Sequence, residues 1–203
     1  GLTAAKLGPG YQILEDISLM ASLPNMAVVC PADYRETEAI LSASLQKFGP
    51  VYIRLPIGKY SNVFEGKVDF EFGKSHVIRD GKDICVFTMG PLLHRAIEAS
   101  EALEKEGVSV RIVNLSSIKP LDKEQIIESA KKCKICVSIE DHNVIGGLGS
   151  RVSEVLSEVY PGRLFRIGME DKFGEAIEIE ELYRRNNLDT DSLIHRLKEY
   201  AKM

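Results

Sequence analysis

Glu140, Asp141 and His142 stand side by side, and Gly146-Gly147-Leu148-Gly149-Ser150 follows closely. Two carboxylates beside an imidazole are the residue types of an acid–base cluster, because histidine titrates near neutral pH. A glycine-rich turn ahead of a helix can offer backbone N–H groups to a phosphate. The glycines do not form Gly-x-Gly-x-x-Gly, and no Lys-Ser/Thr pair follows as in a P-loop. Glycine also serves wherever a chain turns tightly and a helix lies close to a sheet, and that is the favoured reading of 146, 147 and 149. Adjacent residues at a strand end point in different directions, which favours a structural or interface role for Glu140, Asp141 and His142.

The other reactive residue types are scattered. Cys133-Lys134-Ile135-Cys136 is a C-x-x-C. A redox pair of that kind belongs at a helix N-terminus, where the dipole favours a thiolate. Here it falls between the end of an expected helix and the start of a strand, so it reads as incidental. A zinc site needs further ligands, and no second C-x-x-C exists. His76, His94 and His195 lack metal-ligand spacing and read as surface or packing residues, so no metal site is expected. Ser116-Ser117 lacks the G-x-S-x-G context of a hydrolase nucleophile. Glu178, Glu180 and Glu181 read as a solvated helix start.

The elements that must position these residues alternate. Ile135–Ile139 is a short apolar run, followed by an expected polar loop, the glycine turn and a helix marked by Val152, Val155, Leu156 and Val159. Upstream, Ile13, Ile17, Met20 and Leu23 mark a helix face, with Glu15 and Asp16 near its start, where carboxylates suit the dipole. Ala27–Cys30 is a strand. Asp33 and Glu36 have capping-box spacing before a helix whose apolar side includes Ala39, Ile40, Ala43 and Leu45. Val51–Leu55 is another strand. Residues from Pro56 to about Phe72 read as a surface linker. A second unit follows: an edge strand near Ser75–Ile78, a strand at Ile84–Thr88, a helix closed by Gly107, a strand at Ser109–Asn114, a helix at Asp122–Lys132, a strand at Leu164–Ile167 and two terminal helices. Such alternation implies a mainly parallel α/β sheet with right-handed crossovers.

Composition excludes some classes. Net charge is −4 over 203 residues, which gives no electrostatic case for nucleic acid. No apolar run approaches membrane-span length, and no signal peptide opens the chain. Four cysteines, three in expected strands, suit small buried thiols in a reducing compartment, so a cytoplasmic location is expected.

An ordered set of segments carries a family resemblance. Gly8-Pro9-Gly10-Tyr11-Gln12, Glu15-Asp16-Ile17, Leu23-Pro24-Asn25-Met26, Pro31-Ala32-Asp33 and Glu36 resemble the second half of the transketolase pyrimidine-binding domain. Gly49-Pro50-Val51-Tyr52-Ile53-Arg54 is similar to the strand that closes it. Glu140-Asp141-His142 with the glycine turn, and Gly168-Met169-Glu170-Asp171-Lys172-Phe173-Gly174, resemble the family's C-terminal domain. The resemblance implies a partial three-layer α/β pyrimidine-binding domain at 1–66, and a mainly parallel α/β transketolase C-terminal domain at 67–203.

It also implies function. The complete enzyme would use thiamin diphosphate with magnesium to move a two-carbon ketol unit between sugars. Cofactor-binding residues would lie mainly upstream of Gly1, on an N-terminal section or subunit. The expected assembly is a homodimer or heterotetramer, with this chain inactive and cofactor-free alone. Substrate-facing positions fall on Tyr11, where the family has histidine, on Gln12, on Arg54, and on Ile57, where many members have arginine. Tyrosine is a poor proton shuttle at neutral pH, and isoleucine cannot neutralise a phosphate. A non-catalytic dimerisation or docking module, and the beta subunit of a 2-oxo acid dehydrogenase, are the alternative readings.

Overall fold

Two sheets of unequal size organise the chain in the computed structural model, which describes residues 1–58, 60–160 and 162–203. Lys59, inside the expected linker, lies outside the described residues. The first part supplies α1 (Asp16–Ser22), β1 (Ala27–Val29), α2 (Tyr34–Gln46) and β2 (Val51–Ile53). The second supplies β3 (His76–Arg79), β4 (Ile84–Thr88), α3 (Leu93–Lys105), β5 (Val110–Asn114), β6 (Ser117–Lys119), α4 (Lys123–Lys132), β7 (Ile135–Asn143), α5 (Leu148–Val159), β8 (Leu164–Met169), α6 (Ile179–Arg185) and α7 (Thr190–Tyr200).

The large sheet has the order β3-β5-β4-β7-β8. Its strands are parallel except β3, which runs antiparallel at one edge. β4, β5 and β7 are buried along their whole length, as their continuous apolar runs require when helices cover both faces. Side chains alternate between two cores. Ile84, Val86, Ile112, Val137 and Ile139 pack with α3, α6 and α7, while Cys85, Phe87, Val113 and Cys136 pack with α4 and α5. Ile17, Ala21 and Val28 join the second core, so the first unit rests on the same layer as α4 and α5.

The small sheet has the order β2-β1-β6. β2 lies parallel to β1, and β6 pairs antiparallel on β1's other side. β6 was not expected from sequence. It is three residues long and carries no run that marks a strand, yet it ties the second unit to the first. The expected polar loop at Glu140–Asn143 is also corrected: β7 continues through Asn143, and all four residues are buried. In α1 only part of the expected face is used, for Ile17 is buried whereas Ile13 and Leu23 are exposed. Leu45 of α2 is likewise exposed, although Ile40 is buried.

Local signals set the helix ends. Asp33, Asp122 and Asp189 each accept a hydrogen bond from the backbone N–H three residues on, which satisfies a donor left free by helix geometry. Glu36 reaches back to the N–H of Ala32 at 2.7 Å, one residue beyond the ordinary capping-box partner. Asp33 does more than cap α2. Its second oxygen accepts from Val63 and Phe64, both at 2.9 Å, and so pins the crossing segment to the first unit. Asp33→Ala is expected to lower unfolding stability in urea by about 1–3 kcal/mol. Amide exchange at Val63 and Phe64 should rise with it. Unchanged exchange there would show that the segment is held by packing alone.

Candidate functional site

Arg54 follows β2 directly, and its backbone N–H donates to Val29 at 2.8 Å. The side chain then turns inward and keeps only 6% of its surface. Its Nε donates to Asp16 Oδ2 at 2.9 Å, Nη1 to Asp141 Oδ1 at 2.5 Å, and Nη2 to the Asp141 carbonyl at 3.1 Å. The Tyr52 hydroxyl donates to the same Asp16 oxygen at 2.9 Å. Burial alone would raise the Asp16 carboxyl, but the guanidinium and the Tyr52 hydroxyl outweigh it and hold it below its usual range. Arg54 therefore joins α1, β2 and β7, with a protein acceptor for each of Nε, Nη1 and Nη2.

Glu140 and His142 flank Asp141 and serve two different helices. Glu140 Oε2 accepts from the N–H of Leu148 at 2.6 Å, and Oε1 from Gly149 at 2.9 Å. It thus fills the N-terminus of α5 with a buried carboxyl group. Burial pushes Glu140 up to about 8, against the pull of those two N–H groups. His142 caps α1: Nε2 accepts from the N–H of Ile17 at 3.2 Å, and Nδ1 lies 2.7 Å from the Asn143 carbonyl. Those partners assign a neutral ring with the proton on Nδ1, and burial lowers its pKa accordingly. Both ring nitrogens are occupied, so the trio is framework rather than an acid–base cluster.

The glycine turn is explained by the same carboxyl group. A Cβ on Gly147 would come 2.0 Å from Glu140 Oε2, and one on Gly149 would meet Ser138 Oγ at 2.4 Å. Gly146 has φ +72°, and a Cβ there would sit 2.7 Å from Ser18. The turn is glycine because α5, β7 and α1 close on one another at that point. Its Leu148 and Gly149 N–H groups face Glu140, so this turn does not fit a cofactor diphosphate. Among the described residues no group of three or more His, Cys, Asp and Glu side chains is disposed to hold a metal ion.

The other residues expected to face substrate separate. Tyr11 is 67% exposed on a short 3-10 turn, and Ile57 is 54% exposed after β2. Gln12 is buried: its amide donates to the carbonyls of Ala5 at 2.7 Å and Glu175 at 2.8 Å. It acts as a tie between the start of the chain and the segment before α6, which leaves its amide no donor for a ligand. The backbone N–H of Ile57 donates to Thr3 Oγ1 at 3.1 Å. Beside that bond opens a hollow of about 290 Å³, lined in part by Thr3, Lys6, Ile57, Tyr60 and Glu178. Tyr11 does not line it. Sequence reasoning missed Asp16 as the partner of Arg54, and Thr3 and Tyr60 as neighbours of Ile57; no spacing signal links them.

The burial of Glu140 has a testable sign. Its folded pKa lies above the unfolded value, so its stabilising contribution is fully present below about pH 4.5 and is lost as pH rises through about 8. Glu140→Gln removes one acceptor and should cost about 1–3 kcal/mol at low pH. The gap from wild type should narrow between those two pH values, as read from urea unfolding at each pH. A gap that widens with pH would mean that Glu140 is held ionised in the folded chain.

Two family models match the chain. Transketolase, pyrimidine binding domain, covers residues 1–62, and Transketolase, C-terminal domain, covers residues 73–193. A protein of Methanocaldococcus jannaschii named as a transketolase C-terminal section is 37% identical over 205 residues, spanning 100% of this chain and 64% of its own length. The 6-deoxy-6-sulfo-D-fructose transketolase subunit SqwH of a Clostridium species is 33% identical over 100% of this chain and 63% of that protein. A solved structure described as a split gene transketolase, an inactive beta4 tetramer, superposes with a TM-score of 0.92 at 39% identity, covering 96% of this chain and 64% of that one. The chain thus spans about two-thirds or less of these relatives' length. From its first turn to its last helices, it belongs to the transketolase family.

Proposed function

We propose that this chain is the C-terminal section of a two-chain transketolase-like transferase, which moves a two-carbon ketol unit between sugars and is inactive alone. The observation that carries this reading is the likeness, over nearly the whole chain, to the split gene transketolase. A second chain, the N-terminal section, would bear the diphosphate-binding domain for thiamin diphosphate and magnesium. The misfit of the Gly146–Gly149 turn to a diphosphate supports that division. The reading includes a domain boundary near 66/67, a homodimeric or heterotetrameric assembly and a cytoplasmic location. Among the described residues no helix is long and apolar enough to cross a membrane.

A second reading, a self-associating module without catalysis, is favoured by α2. Tyr34, Leu41, Leu45 and Phe48 are exposed at helical spacing on or just past this helix, and Phe48 is fully exposed. The described neighbour is itself an inactive tetramer. Calorimetric titration separates the two readings. The isolated chain should show no strong binding of thiamin diphosphate with magnesium, and its complex with the N-terminal section should bind and turn over ketoses. Micromolar affinity of the chain alone, or an inactive complex, would overturn the transferase reading.

Tyr11 and Ile57 bear on the substrate. Loss of a charge-assisted partner of a desolvated phosphate costs about 2–5 kcal/mol. The substrate is therefore unphosphorylated at that end or held differently, with Tyr11 donating a hydrogen bond. In the complex, Tyr11→His with Ile57→Arg should raise kcat/KM for phosphorylated ketoses by more than about tenfold, and leave unphosphorylated ones unimproved. A wild type that already prefers phosphorylated ketoses by orders of magnitude, with no gain in the double variant, would sink this assignment.

A further inference from the structure

The first turns of α2 grip the segment that crosses to β3. Asp33 Oδ2 accepts from the N–H groups of Val63 and Phe64, and Arg35 Nη1 donates to the Gly66 carbonyl at 3.0 Å. Glu36, which has no exposed surface, faces the end of the same segment. Its Oε2 accepts from the Ala32 N–H at 2.7 Å, and its Oε1 accepts from Asn114 Nδ2 at 2.8 Å. His76 opens β3, and its Nδ1 lies 4.0 Å from that Oε1.

The hydrogen inventory of the pair is one short. His76 Nε2 lies 2.9 Å from the Asp69 carbonyl, which can only accept, so Nε2 carries a hydrogen. In a neutral ring Nδ1 is then an acceptor. It is buried and, among the described residues, has no hydrogen-bond partner. An ionised Glu36 would therefore set two acceptors against each other out of water. One added proton removes the conflict, whether it rests on the imidazole or on the carboxyl. Burial favours the same proton, pushing the Glu36 carboxyl up to about 7 against the pull of the Ala32 N–H. The surrounding elements supply no cation in its place. Asp33 faces Glu36 from its own helix, the Phe64 ring packs edge-on against the imidazole, and Asp122 accepts from the neighbouring Ser75.

We propose that Glu36 and His76 hold one proton between them and form a proton-operated latch that fastens residues 63–76 to α2. With the proton in place, the carboxyl and the imidazole attract each other across the junction of the two units. Without it, two acceptors face each other and the latch opens. In the unfolded chain the carboxyl is ionised above about pH 4.5, so near neutral pH the latched state binds a proton that the released state lacks. The hold is therefore lost as pH rises through about 7. The latched segment begins shortly after Tyr60, which lines the hollow beside Ile57.

Hydrogen exchange of the full chain, read by mass spectrometry from about pH 6 to 9, tests this. The N–H groups of Val63, Phe64, Gly73 and Ser75 all have side-chain acceptors, so their protection reports the latch. With intrinsic rates divided out, protection of residues 63–76 should fall by more than about tenfold over that range. Glu36→Gln should abolish the fall. Its amide oxygen can accept from the Ala32 N–H, and its NH2 can donate both to His76 Nδ1 and to Asn114 Oδ1, which is buried and, among the described residues, unpartnered. Wild-type protection that does not change with pH would overturn the latch, whatever the variants do. A fall of equal size in Glu36→Gln would assign it to other groups, such as Glu140. A full fall in His76→Phe would place the proton on Glu36 alone. Either result would overturn the shared proton.

Discussion

The structure depends on one buried guanidinium. Arg54 faces two carboxylates, Asp16 from α1 and Asp141 from β7. Taking these charges out of water is costly, and the ion pairs repay that only with good geometry. Here the Tyr52 hydroxyl and the Asp141 carbonyl add the further hydrogen bonds that make burial tolerable. Breaking such a pair from one side leaves an uncompensated charge and typically costs about 3–5 kcal/mol. Its value is positional as much as energetic. Tyr11 lies shortly before Asp16, and Ile57 shortly after Arg54, so one side chain ties the segments carrying both residues to the end of β7.

β6 and Lys119 reinforce the same junction. β6 extends the small sheet, and the Lys119 ammonium donates to the carbonyls of Ala21 at 2.8 Å and Leu23 at 2.5 Å. Those carbonyls belong to the end of α1, where helix geometry leaves acceptors free and a cation is favoured. α1 is thus held at its start by His142 and at its end by Lys119, both from the second unit. A helix of seven residues has little stability of its own. Its position is dictated by these two polar anchors and by Ile17.

The sequence made some of this readable and hid the rest for definite reasons. The central strands were legible because Ile84–Thr88 and Val110–Asn114 lie in apolar runs with no other plausible home. Asp33 and Gly107 were legible because caps act within a few residues. The continuation of β7 through Glu140, Asp141, His142 and Asn143 was not, because buried polar residues violate the strand pattern and become tolerable only through partners distant in sequence. Arg54 and Ile17 are such partners, and neither is marked by spacing. Gln12 was hidden in the same way, since one of its acceptors, Glu175, is near the other end of the chain. Tyr11 and Ile57 were placed only by their register against a family pattern.

A final step follows from what the N-terminus of α5 holds. A glycine turn leading into a helix is the usual setting for a bound phosphate, because free N–H groups and the helix dipole favour an anion. This chain meets that demand with its own Glu140, brought within 2.6–2.9 Å of two N–H groups. The close approach requires the absence of side chains at 147 and 149, so the glycines serve an internal carboxyl group. The features that suggested chemistry in the sequence are thus consumed in building the framework. Outward, the framework presents a phenol at Tyr11, an alkyl group at Ile57 beside the exposed pair of Lys6 and Glu178, and the apolar outer side of α2.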